Sequence, residues 1–290
     1  KRPRDHVSIL IHDDRITGIE AGYVAPAGAD VIDLSTATVL PGLIDTHVHI
    51  TQEFDGGNPI AEKVTRTGFD RAYISVGAAR RTLEAGFTSV RDVGADTSLV
   101  IAMRNAIATN KIPGPRMWVA GKPLGPTGGH GDPANGLDPL LDHPHWRDAL
   151  VDSPKAARRA VRAMHREGVD LIKIMPSGGV LSIGDNPDRQ LMADDEIATV
   201  VETAHALGLK VAAHAHGKTA IDQAVVLGVD SIEHGSFADA ESYKLMKAHG
   251  TYLVPTLLVG ETAIKIATAH PEQLNPSSAA KALKIAPILL

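Results

Sequence analysis

Four histidines and one lysine stand at places where an apolar strand would otherwise simply end. His47 and His49 close Leu40-Pro41-Gly42-Leu43-Ile44-Asp45-Thr46-His47-Val48-His49, His214 closes Leu209-Lys210-Val211-Ala212-Ala213-His214, and His234 closes Val229-Asp230-Ser231-Ile232-Glu233-His234. Side chains alternate along an extended strand, so His47 and His49, two apart, point to the same side. Neutral imidazole is the usual nitrogen ligand of zinc and similar ions, and ligands converging from several strands leave open positions for water and substrate. A single histidine at a strand end is ordinarily a satisfied core or loop residue; four placed this way favour metal binding. Lys173 interrupts Leu171-Ile172-Lys173-Ile174-Met175. Burying a lysine unpaired is costly and depresses its pKa. Lys173 therefore either pairs with a carboxylate, reaches out to solvent, or has a chemical task, and the histidines on neighbouring strands favour the task. A neutral amine can take up carbon dioxide, and the resulting carbamate is an anionic two-oxygen ligand able to span two ions.

Position in the chain separates these from the remaining histidines. His165, His205 and His249 fall in the last turn of helical segments, just before Gly168, Gly208 and Gly250, where a partly charged imidazole suits the helix dipole. His143 and His145 lie in a long loop beside Trp146 and read as surface residues, and His6, His12 and His270 carry no pattern. Two others stay open. His130 sits in Thr127-Gly128-Gly129-His130-Gly131 and His216 follows His214 by two; each is either a substrate contact or, respectively, loop packing and an outward strand residue.

The elements that must position these groups repeat one unit: an amphipathic helix, a glycine where it stops, then a short β-rich strand. Glu84-Ala85-Gly86-Phe87-Thr88-Ser89-Val90, Gly168-Val169-Asp170-Leu171, Gly208-Leu209-Lys210-Val211, Gly228-Val229-Asp230-Ser231 and Gly250-Thr251-Tyr252-Leu253-Val254 are the instances. Glycine at the helix C-terminus supplies the left-handed turn back towards a strand. Strands alternating with helices imply a parallel sheet with right-handed crossovers. With Thr38 to His49 and Pro115 to Ala120 the count is seven strands, one short of a (β/α)8 TIM-type barrel. The rival open doubly wound sheet lacks any phosphate-binding glycine cluster after a strand. Residues 38–290 are thus expected to form the barrel domain. Before it, Val7 to Ile11, Arg15 to Ile19 and Val31 to Leu34 read as a three-stranded meander, a small separate domain over 1–37. The Gly- and Pro-rich stretch from Lys122 to Asp152 is a long loop of the kind that carries binding residues.

Composition narrows the chemistry further. The 290 residues carry a formal charge of -5 and no basic tract, which disfavours nucleic acid and anionic membranes as partners. No cysteine is present, so thiolate ligands and disulfides are excluded and any metal must be held by nitrogen and oxygen. No apolar run reaches transmembrane length, and the first residues lack the apolar stretch of an export signal. The compartment is left undetermined: a soluble protein, cytoplasmic or exported after loss of an upstream signal. The expected partners are a small-molecule or dipeptide-like substrate and further copies of the chain in a homo-oligomer.

His47-Val48-His49, Lys173, His214 and His234 together resemble the amidohydrolase superfamily, in the branch with two metals and a carbamylated lysine. The segment from Val39 to His49 resembles that family's entry into its barrel, and the meander resembles part of its β-sandwich domain. Thr127-Gly128-Gly129-His130-Gly131, Ser177-Gly178-Gly179-Val180, His214-Ala215-His216-Gly217 and Ser231-Ile232-Glu233-His234-Gly235 are similar to the imidazolonepropionase-like branch, which includes Xaa-Pro dipeptidases and bacterial ochratoxin-degrading amidases. The resemblance implies two divalent ions, usually zinc, sharing a hydroxide that attacks the scissile carbonyl. His47 and His49 would hold one ion, His214 and His234 the other, and carbamylated Lys173 both. It also implies an aspartate closing the eighth strand, which is not found before Leu290; the expectation is a sequence that continues beyond that residue. His130 and His216 are the expected substrate contacts, His130 also acting on the carbonyl. Because aromatic residues make up only 3% of the chain, Val180, Leu181 and Ile183 are expected to supply the apolar lining. The implied reaction releases an amino acid from an amide, as with ochratoxin-type N-acyl amino acids or Xaa-Pro dipeptides. Hydrolysis of a cyclic amide, a mononuclear deaminase with unmodified Lys173, and a catalytically silent scaffold are the alternatives.

Overall fold

The computed structural model describes residues 3–52, 59–141 and 143–289. The chain divides into two compact units, Lys1–Gly42 and Leu43–Leu290. In the first, β1 (Val7–His12) and β2 (Arg15–Ala21) pair antiparallel, with an irregularity between Leu10 and Ile11. Asp13 opens the connecting turn with φ of 54°, the left-handed geometry that a two-residue hairpin requires. The expected third strand does not form. Val31 and Ile32 are 70% and 82% exposed, and the Asp33 carboxylate accepts the Ser35 backbone N–H at 2.8 Å. A short Asp-centred turn has claimed that backbone in place of a ladder; the meander is a hairpin.

Among the described residues, the second unit holds seven parallel strands in two hydrogen-bonded sets. β3 (Leu43–Val48), β4 (Phe87–Asp92) and β5 (Arg116–Val119) form one; β6 (Leu171–Ile174), β7 (Lys210–Ala215), β8 (Ser231–His234) and β9 (Tyr252–Val254) form the other. Backbone bonds continue one into the other: Asp170 N donates to Val119 O, Leu124 N to Lys173 O, and Met175 N to Leu124 O. Helices α1 (Pro59–Thr65), α2 (Gly68–Glu84), α3 (Thr97–Ala108), α4 (Pro154–Glu167), α5 (Asp194–Ala206), α6 (Lys218–Val226) and α7 (Ala240–His249) provide the crossovers, and α8 (Leu257–Ala269) and α9 (Pro276–Leu289) follow β9. The repeat unit seen in the sequence is realised: α4 and α7 stop at Gly168 (φ 95°) and Gly250 (φ 73°), both left-handed. Among the described residues no helix is long and apolar enough to cross a membrane.

The strands sort their side chains by parity. Ile172, Ile174, Val211, Ala213, Ala215 and Ile232 pack with Val161, Met164, Ile197, Val200, Ile221 and Val225 of the helices in the largest core cluster. Leu171 and Ala212 belong instead to a small separate cluster with Val93 and Ala120 on the opposite face. Lys173 and His214 share the parity of that second face, as does Glu233 relative to Ile232, so alternation alone directs them away from the helices. Ion pairs tie the far ends of the strands, as where Arg104 meets Asp170 at 2.7 Å and His205, in the last turn of α5, meets Asp230 at 2.8 Å.

Candidate metal centre

The histidines picked out at strand ends gather in one place. Ring centroids lie 5.3 Å apart for His47 and His49, 4.9 Å for His47 and His234, and 4.7 Å for His214 and His234. His216 joins them, stacked on His234 at 4.9 Å, and His130 stacks on His214 at 4.3 Å. Nitrogens of His214, His216 and His234 all lie within 4.8 Å of one another, close enough to share an ion.

His234 reaches this cluster against the parity of its strand. Two residues beyond core-facing Ile232, it would point at the helices if β8 stayed extended. Its φ is 72°, left-handed and unusual for a residue with a side chain, and this turns the ring towards His47 and His214. The conformation is held by a 2.6 Å hydrogen bond between His234 Nδ1 and Thr256 Oγ1, Thr256 itself being left-handed at φ 46°. Strain of this kind persists where surrounding contacts over-determine it and clusters at functional sites.

Partners on the second ring nitrogen decide which nitrogen is left for a ligand. His47 Nδ1 lies 2.8 Å from Glu233 Oε2, and His49 Nδ1 lies 2.7 Å from the Gly94 carbonyl. A carboxylate and a carbonyl only accept, so both Nδ1 atoms carry hydrogen and both Nε2 atoms keep their lone pairs. His216 Nδ1 is paired with Ser236 Oγ at 2.8 Å. His214 differs: its Nε2 donates to the Gly178 carbonyl at 3.2 Å, which leaves Nδ1 as its lone pair. Gly94 must be glycine, since a Cβ there would come within 2.7 Å of the His49 ring. At Gly179 a Cβ would overlap the His130 ring.

Burial keeps the cluster neutral. It depresses His49 to about 4 and His216 to about 3, and drives His214 and His234 well below the usual histidine value. Neighbouring cationic groups, Lys173 among them, add to the depression of all four. Lys173 is 1% exposed, and burial lowers its amine to about 8 against the opposing pull of Glu233 and Asp92. Asp92 is fully buried and raised to about 7 by desolvation, although the Ile50 and Gly94 N–H groups donate to it at 2.8 and 3.1 Å. Glu233 behaves oppositely: burial would raise it, yet the His47 hydrogen bond, Lys173 and Arg91 hold it down to about 2. Buried imidazoles, with the tautomers of His47, His49 and His214 set by carboxylate and carbonyl acceptors, a buried amine of lowered pKa and no thiolate make a set suited to a zinc-like divalent ion.

Other expected site residues lie elsewhere. Val180 is buried in a cluster with Ala267, Ala279, Ala282 and Ile285 of α8 and α9, so its side chain is taken up by core packing. Leu181 is 47% exposed, and Ile183 packs over Gly136 in the long loop. The loop that carries them is bolted to α9 by Lys281, which meets the buried Asp185 carboxylate at 2.9 Å, and Asp185 in turn accepts the Gly179 N–H. His143 and His145 are exposed, as expected of surface residues. Sequence reasoning passed over Glu233, Arg91 and Asp92. The signal available for Glu233 was its parity with Lys173 and His214, a charge in a strand on the face opposite the helices.

Parallel strands that present buried histidines and a lysine at their C-terminal ends define an α/β protein of the barrel type with a candidate metal centre. The chain belongs to the amidohydrolase family, which it matches over residues 38–286. It is 35% identical over 236 residues to ochratoxinase of Aspergillus niger, covering 77% of this chain and 48% of that protein. Among solved structures it is similar to a Xaa-Pro dipeptidase with methionine bound in the active site (TM-score 0.90, 36% identity, 98% of this chain and 70% of that one). A prolidase complexed with N-methylphosphonate-L-proline is comparably similar (TM-score 0.86, 35% identity, 97% and 68%). The chain spans about half the length of the curated relatives that it matches.

Proposed function

We propose that this chain carries the centre of a binuclear metal-dependent amidohydrolase that cleaves an amide bond and releases an amino acid. The observation that carries the reading is the convergence of His47, His49, His214 and His234, kept neutral by burial, around a buried lysine of lowered pKa. In this reading His47 and His49 hold one ion, His214 and His234 the other, and Lys173, carbamylated by carbon dioxide, both; zinc suits the donors. The bound ions would bring the pKa of water towards neutrality and polarise the scissile carbonyl, so no serine or cysteine nucleophile is required. His130, stacked on His214, contacts the carbonyl or a substrate carboxylate, and His216 lines the pocket. Family membership implies a TIM-type barrel; the proposal extends it to a closed barrel over 38–290 and to a β-sandwich domain that includes 1–37. The names of the relatives favour an ochratoxin-type N-acyl amino acid or a Xaa-Pro dipeptide as substrate.

A mononuclear centre is the second reading. It is favoured by the tight trio of His214, His216 and His234, which would make His216 a ligand. Metal analysis of the full-length protein, with turnover of a panel of N-acyl amino acids and Xaa-Pro dipeptides, separates the two. Two zinc ions per chain and hydrolysis of the panel are expected. One ion per chain favours the second reading, and full amidase activity in metal-free protein overturns both.

A further inference from the structure

We propose that Glu233, held by Arg91 and Ser231, is the positioning residue that fixes His47 as an Nε2 ligand and so sets the metal affinity of the site. The inference rests on the metal-centre reading above. Glu233 is fully buried. One carboxylate oxygen accepts from His47 Nδ1 at 2.8 Å; the other accepts from Arg91 Nη2 at 2.7 Å and from Ser231 Oγ at 2.6 Å. Arg91 completes the brace, its Nε donating to the Thr46 carbonyl at 2.6 Å and its Nη1 to Ser231 Oγ at 3.1 Å.

The arrangement ties β8 to the separate ladder that holds β3 and β4. Glu233 comes from β8 and His47 from β3, while Arg91 on β4 touches both, so two neighbouring residues of β3 are gripped from within. β3 has no fully buried residue to fix it by packing. A carboxylate that can only accept keeps the hydrogen of His47 on Nδ1 and its lone pair on Nε2; without that acceptor the imidazole is free to carry its hydrogen on Nε2, where it cannot bind an ion. A buried charge pair gives little net stability, and specificity of arrangement is the role left to it.

Glu233→Asp keeps the charge beside Arg91 but withdraws it from His47; Glu233→Gln keeps the length and removes the charge. Zinc affinity of each, measured by competition with a chromophoric chelator, is expected to fall by about 10- to 100-fold, the range seen when partners of metal-bound histidines are removed. Imidazole 15N spectra of unaltered metal-free protein are expected to show His47 protonated on Nδ1, a result independent of how the variants fold. Hydrogen on Nε2 there, or folded Glu233→Asp that binds zinc within twofold of wild type, overturns the role of Glu233. Wild-type protein that takes up no zinc is a separate outcome: it overturns the metal-centre reading and the ligand role with it.

Discussion

The two strand sets position their histidines by different means. In the β6–β9 set all of β6 and five of the six residues of β7 are buried, backed by the large cluster under α4 to α7. In the β3–β5 set, β3 has no buried residue, and Leu43 and Ile44 are 50% and 69% exposed. His214 and His216 therefore inherit their placement from close packing, which tolerates little movement. His47 and His49 depend on polar ties instead: Glu233 on the His47 ring, with Arg91 holding both Glu233 and the Thr46 carbonyl, and the Gly94 carbonyl on the His49 ring, with Asp92 accepting from the Ile50 and Gly94 N–H groups. The histidine cluster thus combines rings set by packing with rings set by polar ties.

The sharpest test of that division begins at its centre. Replacing Lys173 with Ala is expected to lower kcat/KM on an N-acyl amino acid by about three orders of magnitude or more, since metal activation supplies several kcal/mol of transition-state stabilisation. A short carboxylic acid added to the assay should restore part of the activity; unchanged turnover removes the carbamate. Next in size is stability. Ile232→Ala in β8 should cost about 2–5 kcal/mol in urea unfolding, as for other buried isoleucines, whereas Ile44→Ala in β3 should stay within about 0.5 kcal/mol. Equal costs would break the comparison.

Acid should act on the cluster as a whole. The buried histidines have folded pKa values below their ordinary 6.5, about 4 for His49 and about 3 for His216. Above pH 6.5 both folded and unfolded forms are neutral and nothing is lost. As pH falls from 6.5 towards 4 the unfolded chain binds protons that the folded one cannot, so stability declines through that window. Urea midpoints of metal-free protein between pH 7 and 4 measure it, and a flat profile would show that the folded rings bind protons as readily as the unfolded ones. A smaller loss than for Ile232→Ala is expected for Thr256→Val, which removes one hydrogen bond to His234, at about 1 kcal/mol. Zinc affinity should fall with it, and an unchanged affinity would mean that the left-handed turn holds His234 unaided.

Much of the fold was legible because it is local. The glycines ending each helix, the apolar runs after them and the histidines closing those runs are neighbours in sequence, and the seven strands fall where these signals put them. The meander was over-read because Val31 and Ile32 carry β-propensity, but propensity supplies no ladder partner. The packing of Val180 against α8 and α9 was not legible, because nothing local reveals the helices that cover it.

The sequence by itself determined which histidines and which lysine close the strands, the parity of Lys173 on β6 and of His214 on β7, and that these 290 residues hold no cysteine. Only the tertiary structure decided how His234 turns into the cluster, and which groups hold the rings. His47 and Glu233 are 186 residues apart and Arg91 and Glu233 are 142 apart, so no periodicity relates them. They meet because parallel strands stack residues of matching height from distant parts of the chain, and a buried carboxylate must find its donors there.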